Sequence, residues 1–189
     1  MKIKLKILIV IIFLNFIANK VQANSVFFDS KNLKIENDGN LILSTNSTAK
    51  IPNEDILING DKAIYNKLIS ELVIIGNVEF FDNLNDIFIK SEKAIYDQVK
   101  NTIITQGNTY FKIENKYEIN SRNVLFDRNS MIISSQLNTS VYDDMNNVYN
   151  FNEGFIFDQL KEVISSKKTN IIDSNNNSYL FEKAKVNLK

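Results

Sequence analysis

The 189-residue chain contains no cysteine, no histidine and no tryptophan, and it has one proline and five glycines. Without cysteine there is no disulfide framework. With histidine also missing, Cys/His zinc sites, Ser-His-Asp and Cys-His catalysis and haem attachment are excluded. So little proline and glycine excludes collagen-like and Pro-rich linker composition. Net charge is missing too: Lys+Arg is 22 and Asp+Glu is 22. That balance is uneven along the chain. The first 24 residues hold Lys2, Lys4, Lys6 and Lys20 and no acid, which leaves 18 basic against 22 acidic side chains elsewhere. A mildly acidic body suits nucleic-acid phosphates poorly, so no nucleic-acid partner is expected.

What is present is apolar. Hydrophobic residues make up 44% of the chain, too many for a disordered one. Asparagine occurs 29 times and isoleucine 28 times. Both have A/T-rich codons, as does lysine, so the asparagines are read as genome composition rather than as a functional signal. Met1 to Lys6 is basic, Ile7 to Ala18 is apolar apart from Asn15, and Val21-Gln22-Ala23 follows. This reads as a cleavable export signal over residues 1–23. The apolar run of twelve is short of the ~20 residues that a spanning helix needs. No cysteine follows it, so a lipoprotein anchor is excluded. Residues 24–189 show no linker or composition break and read as one extracytoplasmic domain.

The body repeats itself. Residues 58–81 align without a gap on residues 89–112 at an offset of 31. Eight positions are identical: Ile58/Ile89, Lys62/Lys93, Ala63/Ala94, Ile64/Ile95, Tyr65/Tyr96, Gly76/Gly107, Asn77/Asn108 and Phe80/Phe111. Fainter copies continue the series, so the aromatic markers are Tyr65, Tyr96, Phe126 and Phe157, at steps of 31, 30 and 31. A repeat of this length is one supersecondary unit that cannot bury its apolar face alone, so the units must stack.

Each unit reads as two short strands and a turn. Residues 56–58 lead into 63–65, rich in strand formers, with a turn at Asn66-Lys67. Leu72, Ile74, Gly76, Val78 and Phe80 then fall on one parity and share a sheet face. Ile103, Thr105, Gly107, Thr109 and Phe111 do the same in the next unit. Residues 82–86 are a turn-rich break. A glycine recurring mid-strand, at 76 and 107, predicts a bend at the same place on every layer. The fold class is therefore all-β: stacked antiparallel strands bent into a V-shaped pair of sheets with apolar residues between them. Its two ends leave unpaired strand edges, a liability unless another chain caps them.

The pattern Asp61-Lys62-Ala63-Ile64-Tyr65-Asn66 followed by Gly76-Asn77-Val78, and Glu92-Lys93-Ala94-Ile95-Tyr96-Asp97 followed by Gly107-Asn108, resembles the OstA-type repeat of bacterial lipopolysaccharide transport. The resemblance is strong over residues 56–112 and weak elsewhere. It implies a β-jellyroll of the OstA/LptA type whose apolar interior carries lipid A acyl chains toward the outer membrane. It also implies periplasmic partners of the Lpt system, joined by edge-strand β-augmentation. Within the family, residues 134–135, 139–143, 147–149 and 179–188 resemble the region that leads from the N-terminal periplasmic domain of LptD toward its barrel; chain length points instead to an LptA-like bridge. An LptD reading adds a following barrel, an LptE-type lipoprotein partner and a place at the periplasmic face of the outer membrane.

Candidate chemistry follows from these readings. Tyr65, Leu72, Ile74, Val78, Phe80, Tyr96, Ile103, Phe111, Phe126 and Phe157 are candidates for the interior, as a dry core on the residues alone and as a lipid groove on the resemblance. Lys62, Lys90, Lys93, Lys112, Lys116 and Arg122 are candidates to meet lipid phosphates at the groove mouth. Carboxylate pairs such as Asp143-Asp144 and Glu79/Asp82 read as solvated turn residues, so no enzyme activity, metal or cofactor is expected. Residues 173–177 open like a calcium loop, but Ser178 and Ala184 stand where it needs Gly and Glu. A secreted β-solenoid without lipid is the remaining alternative.

Overall fold

Alternation of buried and exposed side chains marks the strands between residues 41 and 158. The computed structural model describes residues 25–188, and the export signal expected over 1–23 lies outside them. Six long strands come first: β1 (Phe27–Glu36), β2 (Leu41–Ile51), β3 (Ile56–Asn66), β4 (Glu71–Asp82), β5 (Ile87–Asp97) and β6 (Thr102–Ile113). Six shorter ones follow: β7 (Tyr117–Arg122), β8 (Leu125–Asp127), β9 (Ile132–Ser135), β10 (Thr139–Asp143), β11 (Val148–Phe151) and β12 (Phe155–Asp158). Two long strands, β13 (Val163–Ile172) and β14 (Ser178–Asn187), end the described chain.

Each long strand creases near its middle. Registers skip between Asn59 and Lys62, Ile75 and Val78, and Ser91 and Lys93. Gly76 and Gly107 sit in the crease at φ +77° and +82°, where a side chain is strained. The bend expected from these two glycines is therefore present, on adjacent layers. In β7 to β12 the crease becomes a break: at Asn123 between β7 and β8, at 136–138 between β9 and β10, and at 152–154 between β11 and β12. The short strands expected over 56–58 and 63–65 are thus the two halves of β3. Its turn is 67–70, and Asn66 is still in the strand.

Creasing divides the layers into two facing sheets. Sheet A holds 27–30, 47–51, 56–59, 78–82, 87–91, 108–113, β7, β10, β11, 169–172 and 178–181. Sheet B holds 32–36, 41–45, 62–66, 71–75, 93–97, 102–106, β8, β9, β12, 163–166 and 183–187. All pairings are antiparallel, and β6 joins both β7 and β8. Edge-to-face ring pairs close the interior across the gap, Phe80 on Tyr96 at 6.0 Å and Phe111 on Phe126 at 6.2 Å. The architecture is the expected all-β jellyroll.

Opposite the crease, the turns form two rims. Rim A carries 52–55, 83–86, 114–116, 144–147 and 173–177; rim B carries 37–40, 67–70, 98–101, 128–131 and 159–162. Backbone hydrogen bonds stitch each rim lengthwise, Asn83 N–H to Asp55 O (3.1 Å) on rim A and Arg128 N–H to Asn101 O (3.1 Å) on rim B. The sheet ends in β1, which pairs only with β2, and in β14, which pairs only with β13, among the described residues.

Candidate functional site: the interior and its mouth

The repeat motif has a structural meaning at each position. The aromatic residue points inward and the next residue caps the turn: Asp97 Oδ1 accepts from the backbone N–H of Val99 and Lys100, and Asp127 Oδ1 from Asn129 and Ser130. At the crease an acid packs on the neighbouring glycine. A Cβ on Gly76 would run into the Asp61 carboxylate, and one on Gly107 into that of Glu92. Asn77 Nδ2 donates to Asp61, and the Asn108 backbone N–H donates to Glu92. The motif residues thus build the layer; of them, the alanine, the tyrosine and Val78 face the interior.

Register turns that layer into two ladders. On sheet B, Ile35, Ile42, Tyr65, Leu72, Tyr96, Ile103, Phe126, Ile133, Phe157, Ile164 and Val186 are successive cross-strand partners. On sheet A the row is Phe28, Ala49, Ile58, Phe80, Ile89, Phe111, Ile119, Val141, Tyr149, Ile171 and Tyr179. Cross-strand contact of this kind is the unit of sheet stabilisation. All ten residues singled out from the sequence lie buried in this interior. Eight belong to these rows, and Ile74 and Val78 flank them on the same face. Sequence reasoning missed the intervening aliphatic rungs, such as Ile58, Ile89, Ile119 and Ile133. Their signal was the same alternation, read one strand further along.

In its middle the interior is filled by its own side chains. Toward the ends it opens. Ile35 faces inward yet is 58% exposed, and so is Tyr179 at 47%. Hydroxyl pairs line the crease side, Ser44 with Ser47 (2.9 Å), Thr109 with Thr105 (2.8 Å) and Ser121 with Thr139 (2.7 Å).

The mouth side holds a buried polar cluster. Arg128 from rim B donates through Nε to Asp82 Oδ2 (2.7 Å), at the end of β4, and through Nη1 to Glu54 Oε2 (2.6 Å), on rim A. It also donates to Asn101 Oδ1 (2.6 Å). The Tyr96 hydroxyl donates to Glu54. Burial, followed by that carboxylate, pushes the Tyr96 pKa well above the usual phenol range. Burial works against the Arg128 charge, but the Asp82 hydrogen bond and charge outweigh it and raise its pKa.

The basic candidates distribute differently from the expectation. Lys116 does stand on the mouth, 3.5 Å from Glu162 of the opposite rim. Lys90 and Lys112 stand on the outer face of sheet A, Lys90 paired with Glu79 and over the Phe88 ring. Lys62, Lys93 and Arg122 lie beside the crease. The expectation that the paired carboxylates are solvated turn residues fails for Asp82, which is buried at the end of β4 and bonded to Arg128. Glu79 faces out while Asp82 faces in, and Asp143 caps its turn and accepts from the Tyr149 hydroxyl. Asp173 caps an asparagine turn by accepting from the backbone of Asn175 and Asn177.

No family model matches this chain, and no curated protein matches it by sequence. In structure it is similar to LptH of Pseudomonas aeruginosa, the LptA-homologous periplasmic component of a lipopolysaccharide transport device. The TM-score is 0.51 at 7% identity, over 58% of this chain and 80% of that one. At that identity the likeness establishes the shared β fold.

Proposed function

We propose that this chain is a periplasmic carrier of lipopolysaccharide, taking lipid A acyl chains between its two sheets and handing them to neighbouring Lpt proteins. The observation that carries this reading is the pair of facing apolar ladders, continuous from β1 to β14 and uncovered at both ends. Acyl chains bind by apolar contact, about 0.8 kcal/mol per buried methylene, so no polar motif is required. Since the middle is filled by side chains, uptake needs the sheets to part. The free edges of β1 and β14 supply backbone donors and acceptors to which the next jellyroll adds strands, extending the ladders into it. The fold likeness to a component of such a device supports the same reading. We place the chain with the N-terminal domain of LptD, facing the outer membrane with an LptE-type partner; an LptA-like bridge is the alternative. Reading the coding sequence past codon 189 separates them: a frame continuing into alternating amphipathic strands is LptD.

The test of function is photo-crosslinking in living cells. A photoreactive residue at the inward positions Leu33, Phe111 and Tyr179 is expected to give lipopolysaccharide adducts, and one at the outward Glu79 none. A folded, exported protein that gives no adduct at any inward position would sink the carrier reading and leave a solenoid with a dry core.

A further inference from the structure

The Arg128 cluster sits where an apolar rung would be simpler. Arg128 is 9% exposed and Asp82 1%. A buried ion cluster is seldom more stable than well-packed apolar side chains of the same volume, and the best-attested use of one is as a register or switch device. The cluster joins the two sides of the mouth: Glu54 from rim A and Asp82 from the end of β4 beside it, Tyr96, Asn101 and Arg128 from sheet B and its rim. Its physics is two-state. The charges are stable when fully paired or fully hydrated, and costly between. Once the rims part far enough for water, all of these groups are solvated together, whereas an apolar seam would go on drawing shut.

A cleft of about 790 Å³ runs between the rims on the C-terminal side of this joint. Leu84 of rim A and Leu160 of rim B form exposed lips, and Met131 lies beside them. The Gln159 side-chain oxygen is buried there without a hydrogen-bond partner. Lys116 stands at the edge of the cleft, within reach of Glu162. Because each rim is stitched lengthwise, release at one point is passed to the turns on either side.

We infer that the Arg128 cluster is a latch: it holds the rims together over the middle of the interior, and its release opens the mouth so that an acyl chain is admitted sideways through the adjoining cleft. This rests on the carrier reading above, and its test is built to fail separately from it. Two variants act in opposite directions. Arg128→Gln leaves Glu54 and Asp82 without their cation and unlatches the rims. Glu54→Leu/Asp82→Leu/Arg128→Met replaces the latch by an apolar seam. Amide hydrogen exchange reads the rims, and the rate of uptake of a pyrene-labelled twelve-carbon fatty acid reads the mouth.

Arg128→Gln is expected to speed exchange at 83–86 and 128–131 about tenfold over the strands, and uptake by about tenfold. The apolar triple variant is expected to melt no lower than the wild type and to take up the probe several-fold more slowly. If the triple variant takes up the probe as fast as the wild type, the cluster is a rivet and the inference falls. It falls equally if Arg128→Gln raises exchange in all strands alike, or binds and takes up the probe as the wild type does. Should Arg128→Gln not fold, the triple variant decides alone. If rim exchange responds as expected while no form binds the probe, the latch stands and the carrier reading fails.

Discussion

The two halves of the jellyroll solve one problem in two ways. From β1 to β6 the strands run unbroken through the crease, and at Asp61 and Glu92 an acid on one strand sits against the glycine of the next. From β7 to β12 each strand stops at the crease and restarts. There the junction is held by other groups: the Gly107 N–H donates to Asn123 Oδ1, and the Ser135 hydroxyl donates to Arg122 O. The ladders nevertheless pass through both halves without a gap. Interior geometry is therefore held constant while the crease is free to vary, because the ladders carry the packing and the crease only has to bend.

The most disruptive way to break this comparison is to cut a ladder in each half. Phe111→Ala and Phe157→Ala remove equally buried rings, and each is expected to cost about 3–5 kcal/mol. Urea unfolding midpoints check it; a much smaller loss for Phe157→Ala would mean that the broken half is loosely packed. A smaller effect sharpens the contrast at the crease. Gly107→Ala places a side chain at φ +82° against the flexible Glu92 and is expected to cost about 1–2 kcal/mol. Gly154→Ala has the same strain at φ +81°, but its Cβ would lie 2.6 Å from the Ser135 backbone oxygen. Overpacking against backbone adds about 1–3 kcal/mol, so this variant is expected to be the worse of the two in the same unfolding measurement.

The smallest effect concerns the turn caps. The Ser130 hydroxyl holds the Asp127 pKa below the usual 3.8, Lys161 does so for Asp158, and the Asn177 side chain does so for Asp173. For a carboxylate depressed in the folded state, the contribution is complete above the unfolded value near 3.8 and is lost as pH falls through the lower folded value. Thermal melts are expected to show this contribution flat from pH 7 to about pH 5 and fading below pH 4. Asp158→Asn together with Asp173→Asn is expected to flatten that acid limb. An unchanged slope would show that these caps hold their turns without their charge.

Much of this was legible in the sequence, for reasons that the halves make plain. Parity exposed Leu72, Ile74, Val78 and Phe80, because burial of one face imposes a period of two. The 31-residue step exposed Tyr65, Tyr96, Phe126 and Phe157, because each aromatic precedes the residue that caps its turn. The glycines at 76 and 107 gave the bend. The Arg128 cluster was invisible: Asp82 and Glu54 lie 46 and 74 positions from Arg128 along the chain and meet it only because the rims meet. The mouth cations were misjudged for a related reason. Alternation tells which side chains face out, but not whether a given outward residue lies on a rim, beside a crease or on the back of a sheet. Only Lys116 of the six stands on the mouth.

The two-strand unit also fixes how such a molecule can change in size. Neighbouring strands are spaced about 4.8 Å apart, so one unit lengthens the interior by about 10 Å. Inserting a single strand would reverse the chain direction and carry the next turn to the wrong rim. Growth in descendants, or in a designed version, must therefore come in steps of about 31 residues, the length of the repeat. The gap that one copy can span is a counted quantity, set by the number of units encoded in its gene.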